Sequence, residues 1–172
     1  NDNTVGGTGA GASFSGADAI HNTFFGKNAG NAITTGDNNI AIGSGALDSA
    51  TTQSDNIAIG KDALQAVTTG NQGYKNVAVG SAALTNLNSS TVGDSIDNVA
   101  IGYEAMKQAT TAYRNVAVGY RALELNQTQN NTCAVGWYSL RESVSGGGNT
   151  GLGHYTATRT TSGAENTAVE EF

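Results

Sequence analysis

Hydrophobic and polar positions along the chain alternate in short bursts, with no helical stripe. Five-residue segments apolar at every second position recur as NIAIG at Asn39–Gly43 and Asn56–Gly60, NVAVG at Asn76–Gly80 and Asn115–Gly119, and NVAIG at Asn98–Gly102, with degenerate copies on either side. A period of two closed by glycine predicts a short strand ending in a tight corner. Helix is disfavoured, because glycine returns within a few turns and Val and Ile are stiff at χ1.

The closing glycines are Gly26, Gly43, Gly60, Gly80, Gly102, Gly119, Gly136 and Gly153, with separations of 17, 17, 20, 22, 17, 17 and 17. The unit is therefore 17 residues, with insertions of three and five residues around Gln72-Gly73-Tyr74 and Thr91 to Ser95. Four residues before the glycine stands Asn22, Asn39, Asn56, Asn76, Asn98, Asn115, Asn149 or Asn166, with Thr132 as the exception. Four after it stand Leu47, Leu64, Leu84, Met106, Leu123 and Leu140, and nine after it Thr35, Thr52, Thr69, Ser89, Thr111, Thr128, Ser145 and Ser162. The next position in phase is Glu170, where the pattern stops mid-unit. Residues 1–21 fit the frame poorly and read as an irregular coil or linker, leaving 22–172 as a repeat domain of nine units, the last truncated.

A fixed period of this length predicts an all-β chain folded as a parallel β-solenoid, one unit per coil. Equivalent residues then stack about 4.8 Å apart, so nine coils rise on the order of 40 Å. Asn39, Asn56, Asn76, Asn98 and Asn115 become rungs of an asparagine ladder, the Thr and Ser positions a hydroxyl ladder, and Gly43, Gly60, Gly80, Gly102 and Gly119 corners at positive φ. Along each strand Ile40, Ile42 and their equivalents point one way and Ala41, Ala58, Ala78, Ala100, Ala117 and Ala134 the other, so both faces are apolar. A narrow coil cannot hide both. One face is expected to line the interior, and the alanine or leucine face to pack on a neighbouring chain.

Composition removes several classes of function. With 24 glycines, no proline and 6% aromatics, the chain cannot fill a globular interior with bulky side chains. A net charge of −6 offers no electrostatic footprint for nucleic acid, and the short apolar runs are too short for a membrane-spanning helix. Cys133, the one cysteine, allows neither an internal disulfide nor a zinc site, and it reads as a buried hydrophobe in a Val/Ile position. His21 and His154 lie about eight coils apart, so no catalytic triad forms. Asp94 and Asp97 lack the spacing of a calcium loop, and no cofactor or metal is expected. The glycines of Gly26-Lys27 and Gly60-Lys61 are corners and not a phosphate loop.

One departure from the consensus carries chemistry. The first residue after the glycine runs Tyr103, Tyr120, Trp137, His154 and the second Glu104, Arg121, Tyr138, Tyr155, where earlier coils carry Lys27, Ser44, Lys61 and Ser81 in the first of these positions. Stacked at the coil spacing, Tyr103, Tyr120, Arg121, Trp137, Tyr138, His154 and Tyr155 make an aromatic and polar stripe suited to sugar rings or a receptor, or to stability alone.

The segment Asn115-Val116-Ala117-Val118-Gly119-Tyr120-Arg121-Ala122-Leu123 resembles the N-T-A-I-G-Y-x-A-L repeats of phage tail fibres, and the whole of Asn22 to Val169 is similar to the head repeats of trimeric autotransporter adhesins with their S-V-A-I-G motif. The 17-residue unit is slightly longer than is usual in adhesin heads. The resemblance implies a left-handed β-roll, a homotrimer, and an extracellular place on a virion fibre or cell surface with a host glycan or receptor as partner. The expectation is a structural and adhesive fibre segment that is not an enzyme. The alternatives are an ice-binding solenoid, from the hydroxyl ladder, and a polysaccharide-binding or polysaccharide-cleaving β-helix, which needs clustered carboxylates.

Overall fold

A computed structural model describes residues 2–15, 18–67, 73–87, 95–143, 146–157 and 163–170. Ten three-residue strands follow one another: β1 Thr4–Gly6, β2 Thr23–Phe25, β3 Ile40–Ile42, β4 Ile57–Ile59, β5 Val77–Val79, β6 Val99–Ile101, β7 Val116–Val118, β8 Cys133–Val135, β9 Thr150–Leu152 and β10 Thr167–Val169. They form one parallel sheet in chain order, so each coil adds one strand to the one before, and among the described residues no helix interrupts them. The chain is a β-solenoid of about nine turns, as the repeat predicts.

Register is held by the motif and not by loop length. Ile57 pairs with Val77 and Val77 with Val99 across the two insertions, just as Ile40 pairs with Ile57 across an uninterrupted unit. The insertions therefore leave the ladder unshifted; 68–72 and 88–94, which include Thr69, Ser89 and Asp94, and also Ser145 and Ser162, lie outside the described residues.

The solenoid begins one coil earlier than the frame suggested. Thr4 pairs with Thr23, and the backbone N–H of Asn22 donates to Asn3 Oδ1 at 2.8 Å. Asn3-Thr4-Val5-Gly6-Gly7 is a degenerate N-V-A-V-G, with Gly7 as the corner glycine at φ 120°. Small residues at the apolar positions obscured it.

The face assignment is the main correction. Ala41, Ala58, Ala78, Ala100, Ala117 and Ala134 are fully buried and share one core with Leu47, Leu64, Leu84, Met106 and Leu123. The alanine and leucine columns thus meet inside the coil, and the outer face carries the β-branched residues, with Ile42, Ile59, Ile101 and Val135 exposed. The reason is width: strand and opposite turn approach so closely that the strand contributes only a methyl while one Leu or Met per coil fills the rest.

Two coils show the same limit by exchange of volume. In β2 Phe24 takes the alanine place, and Gly30 stands where leucine would; a Cβ on Gly30 would clash with the Phe24 ring. In β9 Gly151 takes the alanine place, with Leu140 Cγ 2.7 Å from where its Cβ would sit. The leucines themselves adopt positive φ, 53° at Leu47 and 50° at Leu64. That conformation costs about 1–2 kcal/mol per residue, a cost offset by full burial of the side chain at about 1.5–3 kcal/mol.

The asparagine ladder is the polar spine of this interior. Asn56 donates from its backbone N–H to Asn39 Oδ1 at 3.0 Å and from Nδ2 to Gly73 O at 2.8 Å, while its own Oδ1 accepts the Asn76 N–H at 3.0 Å. Each carboxamide therefore ties one coil to the next and to the turn across the core, with no water exposure at Asn39, Asn56, Asn76, Asn98 or Asn115. At Thr132 the spine is interrupted, because its hydroxyl turns to Asn130 O at 3.3 Å and supplies no carboxamide for the following coil. Thr132→Asn should restore a rung and raise stability by about 1 kcal/mol, read as a higher midpoint in urea unfolding; a lower midpoint would mean this coil has no room for the amide.

The hydroxyl ladder is weaker than its sequence suggests. Thr35, Thr52 and Thr128 are exposed, and the hydroxyl bonds between coils come from the residue before, Thr34 to Thr51 O at 3.1 Å and Thr110 to Gln127 O at 3.0 Å. Cys133, read as buried, is a free, half-buried thiol in the outer column of β8, beside Val116.

Candidate functional site

The stripe is built by the corner glycines. After each strand the glycine turns at φ near 134° to 138° in Gly102, Gly119 and Gly136, and the next residue faces solvent. The residue after that takes positive φ, at 54° in Glu104 and Arg121 and 56° in Tyr138 and Tyr155, so its side chain lies beside the first column. Backbone rungs hold the spacing: Arg121 N–H donates to Tyr103 O, Tyr138 N–H to Tyr120 O and Tyr155 N–H to Trp137 O, at 2.9, 2.9 and 2.8 Å.

All seven predicted stripe residues come together. In the first column ring centroids are 5.3 Å apart for Tyr103–Tyr120, 5.2 Å for Tyr120–Trp137 and 5.6 Å for Trp137–His154. Tyr138 and Tyr155 stack at 5.1 Å in the second, and Tyr120 meets Tyr138 edge-on at 5.4 Å. The Arg121 guanidinium lies over Tyr120 at 5.3 Å and Tyr103 at 5.9 Å. Tyr120 and Trp137 therefore each have a ring neighbour on both sides along the column, which makes the middle of the stripe cohesive.

Beneath the rings lies an ionic ladder that residue-by-residue reading missed. Glu104 Oε1 takes Lys107 Nζ at 2.6 Å and its Oε2 takes Arg121 Nε at 2.7 Å; Glu124 takes Arg141 Nε at 2.6 Å and lies 3.7 Å from Arg121 Nε. The signal was present, since Glu104 and Arg121, and Glu124 and Arg141, are each one 17-residue unit apart. Burial pushes the Glu104 carboxyl up, but the Lys107 hydrogen bond and charge, the Tyr103 hydroxyl and the Arg121 charge outweigh it and hold it below its ordinary 4.5. The Glu104 carboxylate is thus held ionised by its cations, and both buried carboxylates are ion-paired, an arrangement that ties neighbouring coils together.

Other candidates stay apart. His21 and His154 are both exposed and belong to coils at opposite ends of the sheet. Asp97 is exposed, and among the described residues no three His, Cys, Asp or Glu side chains gather where they would hold a metal ion. No described helix is long and apolar enough to cross a membrane. Comparison with known proteins returns no match to a family model, a curated protein or a solved structure.

Proposed function

We propose that this chain is a rigid segment of a homotrimeric, extracellular fibre, with a left-handed β-roll in each subunit, placed on a virion or cell surface where it spaces or presents an adhesive element. The observation that carries this reading is the outer face of the sheet. Phe25, Ile42, Ile59, Ile101, Val135 and Leu152 form an exposed column of the third strand position. Beside it runs the half-buried first-position column of Ile40, Ile57, Val77 and Val99. A flat, continuous apolar strip along the length of the molecule is the surface that association between chains covers. The resemblance of the repeat to tail-fibre and adhesin-head sequences supports three as the number of chains and attachment as the role. The ion-paired carboxylates favour this reading over polysaccharide cleavage.

Sedimentation equilibrium at micromolar concentration should give three times the 17.4 kDa chain mass. The double variant Ile59→Lys and Ile101→Lys places two charges in the strip while leaving the core untouched, so it should weaken association at least about a hundredfold with the β-sheet circular dichroism preserved. A wild-type chain that sediments as a monomer would remove the basis for the fibre reading.

A further inference from the structure

The column of residues that follow the corner glycines changes character at one step. Lys61 and Ser81 precede Tyr103, and the Glu104 N–H bonded to Ser81 O at 3.0 Å, with the Ala82 N–H bonded to Lys61 O at 2.9 Å, shows that these three residues occupy consecutive coils. Toward the C-terminus the Tyr103 ring is covered by Tyr120 and by the Arg121 guanidinium. Toward the N-terminus the column carries only the short side chain of Ser81, and among the described residues no ring or cation lies against that face.

We propose that this step is a glycan subsite, in which one pyranose ring continues the stack on the open face of Tyr103. Two coil rises, about 9.6 Å, separate Tyr103 from Lys61, enough for one ring in van der Waals contact with the tyrosine and a hydrogen bond beyond it. A pyranose suits the slot on chemical grounds. Its C–H face fits the electron-rich face of Tyr103, and its equatorial oxygens meet the Ser81 hydroxyl at the base and the Lys61 ammonium below. Lys61 is free to turn toward it, since its side chain is 72% exposed and its contact with Asp62 is a 3.6 Å surface pair. The slot deepens the adhesive part of the fibre reading and rests on it for biological role only. Binding is a property of one chain's own surface, and chain mass tests the fibre separately.

Saturation-transfer NMR with methyl β-D-galactopyranoside, methyl β-D-glucopyranoside and methyl β-D-glucuronide, on the full chain, checks the proposal. At least one probe should bind with a Kd on the order of millimolar, with transfer concentrated on the C–H protons of one ring face. Ser81→Tyr fills the slot with the ring the column lacks and should cut the transfer about fivefold. Tyr103→Ala should do the same, and Tyr103→Phe should retain binding. Absence of transfer from all three probes, or transfer that survives Ser81→Tyr, would overturn the assignment. So would a Ser81→Tyr chain whose sugar signals are unchanged but whose mass in sedimentation shifts, because the slot would then hold a second chain.

Discussion

Gly60→Ala is expected to destabilise the solenoid by about 3–5 kcal/mol, a large share of the stability of an ordinary domain. Gly60 has φ 130°, a backbone conformation L side chains rarely adopt, and an added Cβ would sit 2.6 Å from both the carbonyl carbon and oxygen of Gly80 in the next coil. No side chain can swing aside to relieve this. The obstructing atoms are backbone, and Gly80 is itself held by its N–H bond to Ile59 O at 2.7 Å. Glycine is thus required twice at the corner, for its conformation and for the approach of the coil above. Urea unfolding would measure the loss, with Asn86→Ala as an exposed control within about 0.5 kcal/mol of wild type. A Gly60→Ala midpoint close to wild type would mean the coils can spread at this corner, and the stacked-glycine account would fail.

Asn56→Leu is expected to cost about as much, roughly 3–5 kcal/mol, by a different route. The side chain is fully buried, and its removal strands the Asn76 N–H and Gly73 O in an interior without water, while the backbone N–H of residue 56 keeps its bond to Asn39 Oδ1. Each unsatisfied group costs about 1–3 kcal/mol. Because each coil touches only its neighbours, the damage should be local first, with faster hydrogen exchange at Ile57 to Ile59 and Val77 to Val79 before global unfolding. Uniform protection across the sheet would show that the carboxamide contributes less than its bonding implies.

These two predictions concern columns that were legible from residue spacing. When the same residue returns every 17 positions and neighbouring coils pair in register, identity along the chain becomes adjacency in space, so Asn56 above Asn39 and Gly60 above Gly43 follow without coordinates. The aromatic stripe was legible for the same reason. Its ring contacts were not: spacing placed Tyr120 between Tyr103 and Trp137, but which ring faces are covered and which is open depends on side-chain packing at the corner.

The repeat sufficed for the solenoid, its period, its asparagine spine and its glycine corners, because each depends on local backbone geometry repeated in phase. Tertiary structure alone decided which apolar face is inside. A strand with Ile40 and Ile42 on one side and Ala41 on the other satisfies a two-residue period in either orientation, and only the narrow gap to the leucine turn, where Leu47 already fills the space, selects the methyl. The first coil, whose Val5 and Gly6 blur the motif, and the ionic ladder from Lys107 to Arg141 were likewise settled by what each neighbouring coil places opposite them.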